Sequence, residues 1–144
     1  MRIMALDVGD RRIGLAVSDA LGLTAQPAGV LTRTDLPADL KHIVTTAQQR
    51  QVEKILVGLP ITLRGEQGPQ AKKVIAFRNA LDKHTTIPIE MVDERLTTAQ
   101  AERVLLEGDA SRQTRKEVID QIAAQLILQH YLDAHARPYE PKDS

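Results

Sequence analysis

Cysteine and tryptophan are absent from this chain, and aromatic residues make up 2% of it: Phe77, Tyr131 and Tyr139. Without cysteine there can be no disulfide and no thiolate metal site, so a metal would be held by oxygen or imidazole. With so few rings, a nucleic acid cannot be gripped by stacking its bases on aromatic platforms, which leaves its backbone and shape to be bound. Excess charge is missing as well: Lys+Arg and Asp+Glu each number 19, a net charge of zero. No global basic field draws the chain onto nucleic acid, so that role would need a local patch. No apolar run approaches the ~20 residues of a membrane span, and the N-terminus lacks a signal-peptide pattern. The expectation is a soluble cytoplasmic protein with no membrane partner.

What the chain does have is a single domain's length, 144 residues, enough for a proper core and too little for two lobes. The pattern predicts one domain over 1–137 and a proline-broken tail over 138–144. Strands are expected at Arg2–Val8, Ile13–Ser18 and Ala28–Thr32, joined by glycine-containing connections of hairpin length. Leu40, Ile43, Val44 and Ala47 recur at helical spacing behind Pro37, giving a helix over 36–51. The short apolar run Lys54–Gly58 reads as a buried parallel strand, followed by a loop to Gly68. A second helix opens at Pro69, a fifth strand covers Ile87–Val92, and Thr97 or Thr98 caps a helix to Glu107 that stops at Gly108. The last helix runs from about Arg115 to Ala136. This order gives an α/β fold: a mixed five-stranded sheet, with a three-strand antiparallel meander and then parallel strands, and helices on both faces.

The segment Leu6-Asp7-Val8-Gly9-Asp10-Arg11-Arg12-Ile13-Gly14 is the most informative. An apolar strand ends in a carboxylate, turns and returns as another apolar strand. A half-buried acid is costly unless a cation meets it, and a divalent metal is the usual partner. Glu94 ends the fifth strand and Asp120 interrupts an otherwise apolar helical stretch. Acids at the carboxyl ends of neighbouring parallel strands line one crevice. Three carboxylates without thiolates or spaced histidines suit hard cations, Mg2+ or Mn2+. Each residue also has a plain structural reading: Asp7 as a turn cap, Glu94 as an ion-pair partner of Arg95 or a helix N-terminal charge, Asp120 as a helix-dipole charge. Asp93 alternates away from Glu94, Asp19 reads as a turn cap, and His42, His84, His130 and His135 show no ligand spacing.

Cations lie close to each acid in sequence. Arg11 and Arg12 follow Asp7, Arg95 follows Glu94, and Arg112, Arg115 and Lys116 precede Asp120, with Arg64 in the loop and Lys72 and Lys73 opening a helix. Singly these read as solvated charges; together they favour a phosphate-bearing ligand.

The chain resembles the YqgF family, small RuvC-like nucleases of ribonuclease H fold proposed to resolve Holliday junctions or to mature the small-subunit ribosomal RNA precursor. The resemblance spans Arg2 to Leu132. It rests on Leu6-Asp7-Val8-Gly9 with Arg12-Ile13-Gly14, Ala16-Val17-Ser18-Asp19, Val57-Gly58-Leu59-Pro60, Gly68-Pro69-Gln70-Ala71, Asp93-Glu94-Arg95-Leu96-Thr97-Thr98, and Asp120-Gln121-Ile122-Ala123-Ala124 followed by Ile127-Leu128-Gln129. It implies that Asp7, Glu94 and Asp120 form a metal-binding triad, and that Arg12 and the Gly58-Leu59-Pro60 loop border the substrate groove. The loop departs from the family's Asn-Met-Asp-Gly-like sequence, reading Ile61-Thr62-Leu63-Arg64-Gly65, and Ala123 and Ala124 stand where related resolvases often carry another acid. The number of metal ions is left open.

The expected function is a metal-dependent nuclease acting on structured nucleic acid, the pre-16S rRNA ahead of a four-way DNA junction, with ribosomal particles as further partners and a monomeric or homodimeric state. Arg11, Arg12, Arg64, Lys72, Arg95 and Arg115 are the candidate phosphate contacts. Two other classes fit the same residues: a binding module that does not cut, and a nucleotide-binding protein of the sugar-kinase type, whose two lobes this length does not supply.

Overall fold

The computed structural model describes residues 1–60, 68–93 and 112–135, the last segment with side chains from Gln121 onward. Strands β1 (Arg2–Val8), β2 (Arg12–Ser18) and β3 (Ala25–Thr32) form the antiparallel meander, and helix α1 (Leu36–Gln49) leads into β4 (Val52–Leu59). Helix α2 (Pro69–Asp82), β5 (Ile89–Asp93) and helix α3 (Arg112–His135) complete the described elements. The expected helix over 97–107 and the tail from 138 lie outside the described residues, as do Arg64, Glu94 and Arg95.

The strands assemble in the order β3-β2-β1-β4-β5. β1 is antiparallel to β2 and parallel to β4, which is parallel to β5. This is the mixed sheet anticipated from the sequence, with β1 at its centre. β3 begins three residues earlier than expected, because Pro27 pairs opposite Ala16 instead of ending the strand. β3 is an edge strand, where a residue without an N–H leaves no ladder bond unmade. The register there shifts between Gly14 and Ala16, at Gly29 with φ 101°, a bulge that bends the edge.

Period-two alternation sorts the sheet into two unlike faces. Met4, Leu6, Val8, Ile13, Leu15, Val17, Ile55 and Val57 face one way and pack with Leu40 and Ile43 of α1 and Val74, Phe77 and Leu81 of α2. Ile3, Ala5, Ala16 and Leu56 face the other way and pack under Ala124, Ile127, Leu128 and Leu132 of α3. The first face is a closed core of large side chains. The second has fewer large ones, with Ala5 and Ala16 paired at its centre.

α1 starts where its chemistry requires: the Asp35 side chain accepts from the Ala38 N–H at 2.9 Å, and proline occupies the first turn, where its missing N–H costs nothing. β3, β1, β4 and β5 all run toward one rim of the sheet, and the β1–β2 turn, the start of α1 and the start of α2 lie along that rim.

Candidate active site

Asp7 is the last β1 residue on the α3 face of the sheet, half-buried at the rim. Its partner on β2 is Gly14. On β4 the pair Leu6–Val57 is followed one step on by Gly58, which itself pairs with Val92 of β5. Alternation puts Gly14 and Gly58 on the same face as Asp7, one level beyond the row Ala16, Ala5 and Leu56. The row Gly14–Asp7–Gly58 therefore carries one side chain, a carboxylate, between two residues that have none. Glycine inside a strand weakens it and is kept where something approaches the backbone closely. Here both neighbours of the acid lack a side chain and are themselves buried.

Helix α3 runs antiparallel to β1 over this face. Its later half is tied to the other end of the strands: Tyr131 Oη lies 2.6 Å from Lys54 Nζ, and Lys54 pairs with Ile3. Gln129 accepts from the Ala25 N–H at 3.0 Å and donates to the Leu23 carbonyl at 3.2 Å. From Ile3 to Asp7 is ~13 Å of strand, and from Tyr131 back to position 120 is ~16 Å of helix. Position 120 also lies one turn before Ala124 on the buried stripe of α3. The backbone thus carries position 120 along the face and toward the end of the sheet that bears Asp7.

The turn after Asp7 is tight. Gly9 N–H donates to the Arg12 carbonyl at 2.9 Å, and a Cβ on Gly9 would lie 2.9 Å from that same oxygen, so no other residue fits without moving the backbone. This presents Arg11, exposed at the tip, and Arg12, half-buried at the start of β2. Asp7, Arg11 and Arg12 thus share one rim. Lys72 sits exposed in the first turn of α2, the helix on the opposite face from α3. Arg115 lies on the first turns of α3. Among the described residues no group of three or more His, Cys, Asp or Glu side chains could hold a metal.

Two groups stand out that the sequence reading passed over. Arg33 reaches Gly9 Oxygen at 2.9 Å through Nη1 and Asp39 Oδ2 at 3.2 Å through Nε, and Asp39 is 2% exposed. An acid within an apolar helical stretch is the sequence signal for Asp39, the same one that marks Asp120. At the other end of α3, Lys54 Nζ lies 3.0 Å from Glu90 Oε2, close enough for charge pairing although off the hydrogen-bond line. The Tyr131 hydroxyl, then Glu90, raises the Lys54 pKa, while Lys54 lowers that of Glu90 against its partial desolvation. Asp19 caps the β2–β3 turn as expected, accepting from the Leu23 N–H at 2.7 Å, which holds its carboxyl below the usual value.

An acid-bearing central strand, a meander running into parallel strands, and a helix crossing the acid's face make a ribonuclease H-like fold, and family and relatives make the chain a nuclease, a hydrolase of ester bonds. A family model described as "RuvX: Holliday junction resolvase" matches residues 1–134, and the chain belongs to that family. A Myxococcus xanthus protein is 48% identical over 146 residues, covering 99% of this chain and 97% of its own. One from Syntrophomonas wolfei is 51% identical over 133 residues, covering 92% and 94%. Both bear the name "Putative pre-16S rRNA nuclease". In fold the chain is similar to T. thermophilus RuvC in complex with a Holliday junction substrate, with TM-score 0.59, 17% identity, and 93% and 94% of the two chains covered. The fowlpox virus resolvase gives TM-score 0.55 at 13% identity, with 95% and 100% covered.

Proposed function

We propose that this nuclease acts on the precursor of 16S ribosomal RNA in the cytoplasm, with Asp7, Glu94 and Asp120 as its acidic triad and Mg2+ or Mn2+ as its cofactor. The observation that carries the reading is Asp7 supplying the one side chain of the row Gly14–Asp7–Gly58, beneath the line of α3 that includes position 120.

The donor set fits the proposed cofactor: the three carboxylates offer hard oxygen donors only. Asp7, Glu94 and Asp120 would hold the cation. When bound, a divalent cation makes a water molecule a stronger nucleophile and offsets charge on the phosphodiester. Glu94 is assigned to orienting that water, and Arg11, Arg12, Arg64, Lys72, Arg95 and Arg115 to holding phosphates. Arg11 and Arg12 have the best support, since they share the rim with Asp7.

A four-way DNA junction is the alternative substrate, favoured by the description of the matching family. Cutting two strands symmetrically calls for two copies of the site, hence a homodimer, whereas a single cut in a ribosomal precursor does not. Labelled pre-16S rRNA and a four-way junction, incubated side by side with Mg2+ or Mn2+, separate these readings. RNA cleavage that disappears in Asp7→Asn supports the maturation nuclease. Junction cleavage alone transfers the assignment to the resolvase, and metal-dependent cleavage of neither leaves a binding role.

A further inference from the structure

We propose that Arg33 is a positioning residue of this nuclease site, fixing from the far side of the sheet the turn that presents Arg11 and Arg12 to phosphates. The inference rests on the nuclease reading above. Arg33 follows β3 directly and touches the turn twice. Its N–H donates to the Arg11 carbonyl at 2.9 Å, and its Nη1 donates to the Gly9 carbonyl at 2.9 Å. The guanidinium is held in turn by Asp39 Oδ2 at 3.2 Å and lies 5.2 Å from the centre of the Phe77 ring. Asp39 is fixed as well, since its Oδ1 accepts from the Thr34 N–H at 3.1 Å.

This arrangement exceeds what a structural ion pair needs. Pairing Arg33 with Asp39 would anchor the start of α1 without any bond to Gly9. The additional bond goes to the carbonyl two residues beyond Asp7, in a turn closed by Gly9 N–H on the Arg12 carbonyl. Another side-chain tie to the turn, Lys73 to Asp10 at 3.3 Å, joins groups that are 63% and 62% exposed and adds little. Serving Asp39 and Gly9 at once requires a planar fork of donors, which arginine has and lysine lacks. A turn held this way offers its arginines already ordered, so less freedom is lost when phosphate binds.

Arg33→Lys keeps the charge opposite Asp39 and removes the fork. Nucleic-acid affinity, read by fluorescence anisotropy with Ca2+ in place of the active metal, is expected to fall about tenfold, with KM rising and kcat nearly unchanged. Amide hydrogen exchange at Gly9 is expected to speed up in the same variant, a readout independent of activity. In a double-mutant cycle, Arg12→Ala should cost less on the Arg33→Lys background than on wild type, because both changes act through one turn. Leu81→Val is the stability control: Leu81 is fully buried near the far end of α2 from the rim, so the change lowers the melting temperature while leaving Arg33 and its bonds, and affinity should stay. Additive effects in the cycle, unchanged exchange at Gly9, or an equal affinity loss in Leu81→Val overturns the positioning role. Wild-type protein that binds neither RNA nor junction overturns the nuclease reading instead, and the role of Arg33 with it.

Discussion

The two faces of the sheet share five strands and almost nothing else. Against α1 and α2, the strands present Met4, Leu6, Ile13, Leu15, Ile55 and Val57, each fully buried. Against α3 they present Ala5 and Ala16 between Ile3 and Leu56, and at the rim a carboxylate between two glycines. The first face gains stability by removing large apolar groups from water, ~25 cal/mol per Å2. The second gives up part of that gain and sets a carboxylate between two buried glycines. One sheet thus divides two tasks between the alternate residues of the same strands.

Neighbouring residues of β1 test that division most directly. Asp7→Asn removes a charge without changing shape and is expected to lower cleavage by roughly 10^3-fold, the loss of several kcal/mol of transition-state stabilisation, with little change in melting temperature. Leu6→Ala should do the reverse, costing about 3 kcal/mol in urea denaturation while the remaining folded protein keeps its specific activity. Equal effects of both changes on activity and stability would collapse the distinction between the faces.

Gly58→Ala probes whether the glycine beside Asp7 matters. One methyl on β4, placed on the α3 face at a buried position, is expected to reduce cleavage and Mn2+ affinity about tenfold while shifting stability by less than Leu6→Ala does. Full activity in this variant would show that the site does not need a residue without a side chain there.

The smallest effect expected is at the far end of α3. The folded Glu90 pKa lies below its usual 4.5, chiefly through Lys54, so its stabilisation is present above about pH 4.5 and fades as pH falls through the lower, folded value. Lys54 is raised above its usual 10.5, chiefly through the Tyr131 hydroxyl; its share is present below that pH and fades as pH rises through the folded value. Both groups are partly exposed, so the contribution stays below about 1 kcal/mol. Lys54→Met should flatten the acid arm of the melting profile below about pH 4.5 and leave metal affinity at Asp7 unchanged.

Much of the fold was legible in the sequence because its signals are local. Alternation marked β1 and β2, helical spacing and Pro37 marked α1, and glycine-rich connections marked the hairpins. Boundaries were less legible: Pro27 hid the first residues of β3, since edge position, not sequence, decides whether proline is tolerated. Within the candidate site, the rim position of Asp7 followed from an acid closing an apolar strand. The glycines on its flanks did not, because Gly14 and Gly58 become its neighbours only through an antiparallel register on one side and a parallel one on the other. Arg33 escaped notice for a similar reason, as its partners Gly9, Asp39 and Phe77 are brought together by three different elements.

The sequence by itself thus determined the order of strands and helices, the placing of an acid at the end of β1, and the family. These follow from periodicity, capping and motif spacing, which act over a few residues or are read along the chain. Only the tertiary structure decided that β1 would be central, which strand face would hold the core and which the carboxylate, and that an arginine after β3 would fasten the turn beyond Asp7. Those outcomes depend on register between strands far apart in sequence, and a pairing register is fixed by the packing of whole faces, not by any segment alone.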